Sequence, residues 1–539
     1  MHVEHPIRSR HATAMHSVIL LTSVAVLIAF VLASAAIDAM AGVRGSSYRS
    51  LGRCGPYLRA VVTTPKWACL GIVAGAMDGL KMPRAILEWQ PGRFIITDMG
   101  SWSAGEGRVL LMETSVDGTV AFRTLFDGLD LPHGLSRGPD AKIYIGESGR
   151  IWRFDPGDVE ASREVVLDNL PNTGLHRLKH FVFDKDGNLI VNFGAPSDRC
   201  EAPGSPTVQV PCPEAEGKRP EAALWLATFD KPGGKVKGLT PLAQGLRNSM
   251  ALAVHPKSGL ILQAENSIDL APENAPPEEL NVIRKGRHYG WPYCTGRGDR
   301  VPGLAKRVSC GRYEEPALLM PAHSAPLGML YYSGAMFPEL RQKLVVALHG
   351  YRDNGHRLIA YDTSKSGRPL RPAKPFATVL IDDWTATPDL RPRGAPVGLT
   401  VAGDGSLWLV EDRNRTVMVL LRNTGDAKAN EQPLEDDGPS PAVGKPAAAS
   451  PPTAWGAFYE RVLHARCSQC HLDFRTSSPE IAWQALAGLG WLDGGTVKDW
   501  KLIKVLRGDG GLKPMPPPKG LSTHPADIAA LERFLADTP

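Results

Sequence analysis

The sequence predicts an all-β protein, a six-bladed β-propeller, followed by a small all-α domain at its C-terminal end. Two observations carry this. A turn-plus-strand unit recurs between residues 80 and 423, most clearly as "GPDAKIYIGES", "DKDGNLIVNFG", "HPKSGLILQAE" and "AGDGSLWLVED", more loosely as "QPGRFIITDMG" and "PELRQKLVVALHG". Past residue 425 the unit stops, and a Pro- and Ala-rich stretch leads into helical-looking sequence. Turn residues ahead of β-branched or apolar runs mark hairpins, and copies spaced roughly 45–85 residues apart fit four-stranded propeller blades. Six copies give six blades. A β-sandwich is the structural alternative, but it has no need of a self-similar unit.

The bulk properties agree with two cores. A single hydrophobic core stops growing at roughly 250–300 residues, and this chain has 539. It is 43% hydrophobic and 22% charged, an ordinary globular composition. Its net charge of +5 is spread along the chain without a basic run, so nucleic acid is not expected as a partner.

At the start, the basic "HPIRSRH" precedes the uncharged "SVILLTSVAVLIAFVLASAAI" and then Ala39-Met40-Ala41. This reads as a secretory signal over residues 1–41 or as a membrane anchor through residues 17–37. Either reading exports the rest, to the periplasm. Six cysteines outside the C-terminal motif lie as close neighbours, Cys54/Cys69, Cys200/Cys212 and Cys294/Cys310. Fifteen pairings are open to six cysteines; clustering in an oxidising compartment favours the three neighbour disulfides.

The propeller is expected over residues 42–425 and a semi-extended linker over 426–452. Three insertions between repeat units carry directional polar side chains. "LPNTGLHRLKHFVFDKDG" offers His176 as a general base, with His180 competing. "GLRNSMALAVHP" places Arg247, a planar fork, beside the amide of Asn248. Downstream "EELNVIRKGRHYGWPYC" supplies Glu279 and Asn281, oxygens suited to calcium along with carbonyls around Ser267. "VVALHGYRDNGHRLIAYD" and "RPRGAPVGLTVAGDG" bring His349, Arg352, Arg391 and Arg393, cations that favour an anionic ligand if they converge.

In residues 453–539, "RCSQCHLDF" has the Cys-x-x-Cys-His spacing of covalent haem attachment. A structural zinc site needs four ligands, and Cys470 is the last cysteine, which leaves histidines alone to complete it. Cys467 and Cys470 would hold the haem, His471 the iron from one side. Met515 in "GLKPMPPPKGLS" is the distal candidate, with His464 and His524 as alternatives. The segment resembles a small class I cytochrome c in motif, length and order of parts. A thioether opposite an imidazole raises the haem potential, which suits an electron acceptor.

Residues 80–423 resemble the glucose/sorbosone dehydrogenase family, six-bladed propellers that bind pyrroloquinoline quinone (PQQ) with calcium. "GLRNSMALAVHP" followed by "EELNVIRKGRHYGWP" carries the resemblance most specifically, and "LHGYRDNGHRL" resembles a stretch of the sorbosone-type branch. The resemblance implies His176 as catalytic base. It puts Arg247, Asn248, His349, Arg352 and Arg393 at or near cofactor-contacting positions, and calcium on backbone carbonyls near Ser267 and Ile268. Where the family has an acidic partner for the histidine this chain has Ala195, so that either Asp198 moves in or the base is oriented differently. The expected activity is oxidation of an aldose, a sorbosone-like aldehyde or a related alcohol, with electrons leaving through the chain's own haem to a soluble cytochrome or a membrane oxidase or quinone. A lactonase-like propeller hydrolase and a non-catalytic carbohydrate-binding propeller are the rival readings.

Overall fold

The computed structural model describes residues 48–424, except 160, 203–206, 303, 305–307, 351–353, 371–376 and 385–393. Toward the C-terminus it describes residues 454–467, 500–507, 525–537 and the isolated positions 479, 483, 486 and 492. The signal or anchor and the linker lie outside the described residues.

Six blade sheets, each built on four antiparallel strands, follow one another along the chain; Arg287–His288 adds a short parallel strand to the third, and Cys294–Thr295 pairs with Asp299–Arg300 apart from them. Blade 1 is Pro83–Gln90, Arg93–Asp98, Gly107–Thr114 and Val120–Leu129; blade 2 is Gly134–Arg137, Ile143–Gly146, Ile151–Phe154 and Glu164–Leu167. Blade 3 comprises Phe181–Phe183, Leu189–Phe193, Ala223–Phe229 and Val236–Gln244, and blade 4 Ala251–Val254, Ile261–Glu265, Glu278–Val282 and Leu318–Met320. Blade 5 runs through Pro326–Tyr331, Lys343–Leu348, Arg357–Asp362 and Thr378–Ile381. Blade 6 takes three strands from the end of the propeller, Pro396–Val401, Leu407–Glu411 and Thr416–Arg422, and its fourth, Ala68–Ala74, from the beginning. The first strands of the six blades touch in cyclic order, and that of blade 6 returns to that of blade 1. This is a closed six-bladed propeller, and each of the six repeat units read in the sequence is the first hairpin of one blade.

Why the strands read as apolar runs follows from the ring. Each blade packs on both faces, so successive residues of one strand serve two different cores. Phe94 and Ile96 join the cluster shared with blade 6, while Ile95 joins that shared with blade 2. Val346 packs toward blade 4 and Val345 toward blade 6. One hydrophobic cluster fills each of the six gaps between neighbours.

The N-terminal closing strand pairs antiparallel with Thr416–Arg422, Leu70 opposite Leu420. A further hairpin, Ser50–Cys54 and Tyr57–Ala60, continues that sheet outward. The Cys54–Cys69 disulfide staples it on; Cys200–Cys212 and Cys294–Cys310 form as well, so all three neighbour pairings hold.

The C-terminal helices have a core of their own. Trp455–Phe458 continues into a π-helical stretch, Tyr459–Cys467, and these pack against Pro525–Asp537. Phe458 and Phe534 stack with centroids 4.5 Å apart. With Lys501–Arg507, whose Ile503 and Leu506 are buried, they enclose a cluster that contains no propeller residue. Among the described residues no helix is long and apolar enough to cross a membrane.

Candidate active site

Two kinds of loop meet on one face of the propeller: the connections between second and third strands, and those from the last strand of one blade to the first of the next. Together they wall a cavity of ≈ 480 Å³. His176, Arg247, Asn248, Ser267 and His349, drawn from separate parts of the sequence, all line it.

His176 is fixed by a clamp between two loops. Gly174, at φ +78°, lies where a Cβ would meet the Cα of Pro196 at 2.4 Å, and Leu175 N donates to Pro196 O at 2.8 Å. Behind the histidine, a Cβ on Gly194 would lie 2.4 Å from His176 O, so only glycine lets the strand end pass so close. The imidazole Nδ1 lies 2.6 Å from Ala195 O. A carbonyl only accepts, so Nδ1 carries the proton and Nε2 is left as an acceptor. Burial, reinforced by the nearby Arg247 charge, pushes the His176 pKa down to about 3. The ring is therefore neutral at physiological pH, as a base must be.

The missing acidic partner is thus replaced by a backbone carbonyl, and Asp198 does not move in. Its Oδ1 instead accepts from Arg247 Nη2 at 2.6 Å, and its carbonyl from Arg247 Nε at 3.2 Å. Asn266 O and Asp269 Oδ2 take further donors of the same guanidinium at 3.0 and 3.2 Å. Arg247 is 4% exposed and immobilised, a fixed positive charge next to His176. Asp198 precedes the Cys200–Cys212 loop, which is tied down by Ser197 Oγ donating to Glu214 at 2.7 Å and by Cys212 N donating to Tyr293 Oη at 2.5 Å. The disulfide-bonded insertion therefore braces the arginine.

The opposite wall was not legible as a unit. His349, just past the second strand of blade 5, holds Asp412 Oδ1 through Nε2 at 2.9 Å. Asp412, just past the second strand of blade 6, also pairs with Arg84 from the first strand of blade 1. Burial favours the neutral Asp412 carboxyl, but His349 and Arg84 outweigh it and hold its pKa well below the usual range. Arg84 Nε donates to His133 Nδ1 at 3.2 Å, and burial and the Arg84 charge hold His133 well below its ordinary pKa. His180, the competing base, does not line the cavity; its ring stands edge-on to His133, centroids 5.7 Å apart. Trp102, His323, Glu278 and Arg413 complete the wall without having been singled out. One signal was available for part of this set: the residue immediately after the second strand is Asn266, His349 and Asp412 in blades 4, 5 and 6.

The donor set suits an anionic quinone with a hard cation. Asn248 Oδ1 and Asn266 Oδ1 are buried oxygens without a hydrogen-bond partner among the described residues, and both side chains line the cavity. Such orphaned oxygens, with the Glu278 carboxyl beside them, are the hard ligands a calcium ion takes. The pair expected to bind calcium through its backbone divides: Ser267 lines the cavity, whereas the side chain of Ile268 is fully buried against Trp291 and Tyr293 and its carbonyl accepts from Leu270 N at 3.1 Å. Glu279 and Asn281 bond each other at 3.3 Å behind the wall. Arg352, Arg391, Arg393, Cys470, His471 and Met515 lie outside the described residues; Cys467 ends the π-helical stretch, its side chain outside them too.

Fold and site define a six-bladed propeller with a neutral histidine and buried arginines lining a cavity at one mouth of its ring. Residues 70–423 match the TrAA12-like family model, and the chain belongs to that family. It is 24% identical over 402 residues to a pyrroloquinoline quinone-dependent sugar dehydrogenase of Hypocrea jecorina, covering 65% of this chain and 88% of that one. To a pyrroloquinoline quinone-dependent pyranose dehydrogenase of Coprinopsis cinerea it is 23% identical, over 66% of this chain and 54% of the relative, little more than half its length. Among solved structures, a Trichoderma reesei enzyme of carbohydrate-active family AA12 superposes with a TM-score of 0.56 at 20% identity, over 70% of this chain and all of the other. That likeness confirms the fold.

Proposed function

We propose that the chain is a quinohaemoprotein dehydrogenase: it oxidises an aldose, a sorbosone-like aldehyde or a related alcohol in the propeller and passes the electrons to a c-type haem in residues 453–539. The observation that carries the reading is the meeting, in one cavity, of His176 with Arg247, Asn248, Ser267 and His349, the positions implied by the resemblance. The relatives named as PQQ-dependent sugar and pyranose dehydrogenases support it.

PQQ, when bound, supplies the two-electron acceptor. Arg84, Arg247 and His349 would hold its carboxylates and quinone oxygens, and Asn248, Asn266 and Glu278 a calcium ion beside it. His176 takes the hydroxyl proton of the substrate on Nε2 while Nδ1 stays anchored to Ala195 O. The reacting carbon gives up its hydrogen together with the two electrons of the C–H bond, the pair that a two-electron acceptor takes, so an aldose leaves as its lactone. Arg247, already bonded to Asp198, needs no reorganisation to stabilise negative charge developing nearby. We assign haem attachment to Cys467 and Cys470 and iron ligation to His471 and Met515, on the strength of their spacing and of the separate helical core that surrounds the start of that segment. Export through residues 1–41, a linker over 426–452 and a downstream cytochrome, oxidase or quinone as acceptor complete the proposal.

Purified protein loaded with PQQ and calcium should reduce its own haem when an aldose is added, in stopped-flow absorbance. Haem that stays ferric against a panel of aldoses, aldehydes and alcohols would overturn the assignment, and lactone hydrolysis under the same conditions would replace it with a hydrolase.

A further inference from the structure

A second cavity, of ≈ 460 Å³, opens beside blade 2. It is built from the same two classes of loop as the first and so lies on the same face. Asp130 comes from the connection between blades 1 and 2, Gly149 and Arg150 from the turn between the second and third strands of blade 2, and Asp168, Asn169 and Asn172 from the connection into blade 3.

The walls are cross-braced by the backbone. Leu170 N donates to Gly149 O at 2.9 Å and Ser148 N to Asp130 O at 3.0 Å. Glu147, 1% exposed, accepts from Asp130 N, Arg150 Nε and Trp152 Nε1 at 2.7, 2.8 and 2.7 Å. Its charge is spent inside the wall. The side-chain amides of Asn169 and Asn172, by contrast, bond to none of the described residues, and Asp168 uses one oxygen on the N–H of Asn169 at 2.9 Å. Amides and carboxylates held on these loops around Leu170, the one apolar side chain of the lining, match the paired hydroxyls and the apolar ring face of a sugar. With Glu147 and Arg150 paired inside the wall, Asp130 and Asp168 disfavour an anion, and the ligand class is a neutral glycosyl unit.

Position ties this cavity to the first. Asn172 borders one and Leu175 the other, three residues along the same loop and so within about 11 Å. One or two linked pyranose units cover that span. On the wall of the first cavity Trp102 is 49% exposed and Leu175 62%, and Arg177 Nη2, from the loop of Leu175, donates to Trp102 O at 3.1 Å. An exposed indole held at a sugar site offers a face for ring stacking.

We propose that the substrate is an oligosaccharide oxidised at its reducing end, with the reacting unit at His176, the next over Trp102 and Leu175, and a further unit in the cavity of Asp168, Asn169 and Asn172. This rests on the sugar-oxidising reading of the His176 cavity. The test compares kcat/KM of the holoenzyme for glucose, cellobiose and cellotriose and for the maltose series. In one series the trisaccharide should exceed the monosaccharide by roughly tenfold, and the double variant Asp168→Ala/Asn172→Ala should bring that ratio close to one. A wild-type ratio of one or less in every series, or a ratio the double variant leaves in place, overturns the proposal. Borohydride-reduced cellotriose and maltotriose have no reducing end to oxidise, so saturation-transfer NMR with them reads the second cavity apart from turnover. Binding that the double variant abolishes supports the subsite even if no sugar is oxidised, a result that would count against the sugar-oxidising reading alone. Absence of binding by either reduced trisaccharide overturns the subsite whatever the turnover.

Discussion

In its proposed role as base, His176 depends on what its other nitrogen does. The bond from Nδ1 to Ala195 O fixes the tautomer, and burial together with Arg247 keeps the ring neutral. A base whose pKa stands at about 3 is already deprotonated across the usual working range. The acid limb of kcat/KM should therefore lie below pH 5, not near the ordinary imidazole value of about 6.5. An inflection between pH 6 and 7 that disappears in His176→Gln would show a ring that titrates freely. Loss of the imidazole in His176→Ala should lower kcat by about 10²–10⁴-fold with PQQ affinity retained, read by stopped-flow and by titration of the cofactor. Sequence exposed His176, Arg247 and His349 because each sits in a distinctive polar run. It could not expose Arg84 or Asp412, which stand alone at opposite ends of the propeller, 328 residues apart, and meet only when the ring closes. Nor could it show the partner of His176, since a backbone carbonyl leaves no side-chain signature.

At the scale of the element, the first strands of the blades converge toward the axis, and their glycines mark how close they come. A Cβ on Gly328 would lie 2.0 Å from Val397 O in the neighbouring blade, and one on Gly398 2.6 Å from Ala85 Cα. These are backbone contacts that a rotamer change cannot relieve. Gly328→Ala should therefore destabilise the propeller by about 1–3 kcal/mol through overpacking, measured as a fall in denaturant midpoint. Gly311→Ala, with nothing within 4 Å of the added Cβ, should stay within about 0.5 kcal/mol; equal losses at the two sites would refute the crowding argument. The first hairpins were legible because a turn announces each of them. The closing strand Ala68–Ala74 was not: "ACLGIVA" is buried at every position and has no turn unit, and its partner lies some 350 residues away. The three disulfides were legible from close spacing in a chain read as exported, since they join residues 15, 12 and 16 apart.

For the whole molecule, closing the ring confines ionisable groups that an unfolded chain would hydrate, and the two kinds pull stability in opposite directions. Burial, with Arg247 or Arg312 adding to it for two of them, pushes His176, His180 and His288 down to about 3, 4 and 4. These side chains are neutral when folded and take up protons when unfolded below about pH 6.5, so their contribution is complete above that value and lost as pH falls. Burial likewise pushes Glu265 up to about 7 and Glu278, Glu279 and Glu411 up to about 8. Those carboxyls keep their protons when folded and release them when unfolded above about pH 4.5, so their contribution is complete below that value and lost as pH rises through 7 to 8. Lys179, pushed down to about 7 by burial, adds a smaller opposing slope only above neutrality. Burial also holds His133 and His349 below the ordinary value, so five histidines oppose the four carboxyls and are outweighed only once pH passes about 6, which places the stability maximum of the cofactor-free protein near pH 6. Its Tm should fall by about 3 °C between pH 6 and 7.5. Adding calcium and PQQ should flatten that fall, because a cation beside Glu278 favours the charged carboxylate and removes its share of the slope. Scanning calorimetry across that range, with and without the two ligands, checks both statements. A Tm that rises toward pH 7.5 in the cofactor-free protein would mean that the buried carboxyls ionise freely inside the fold.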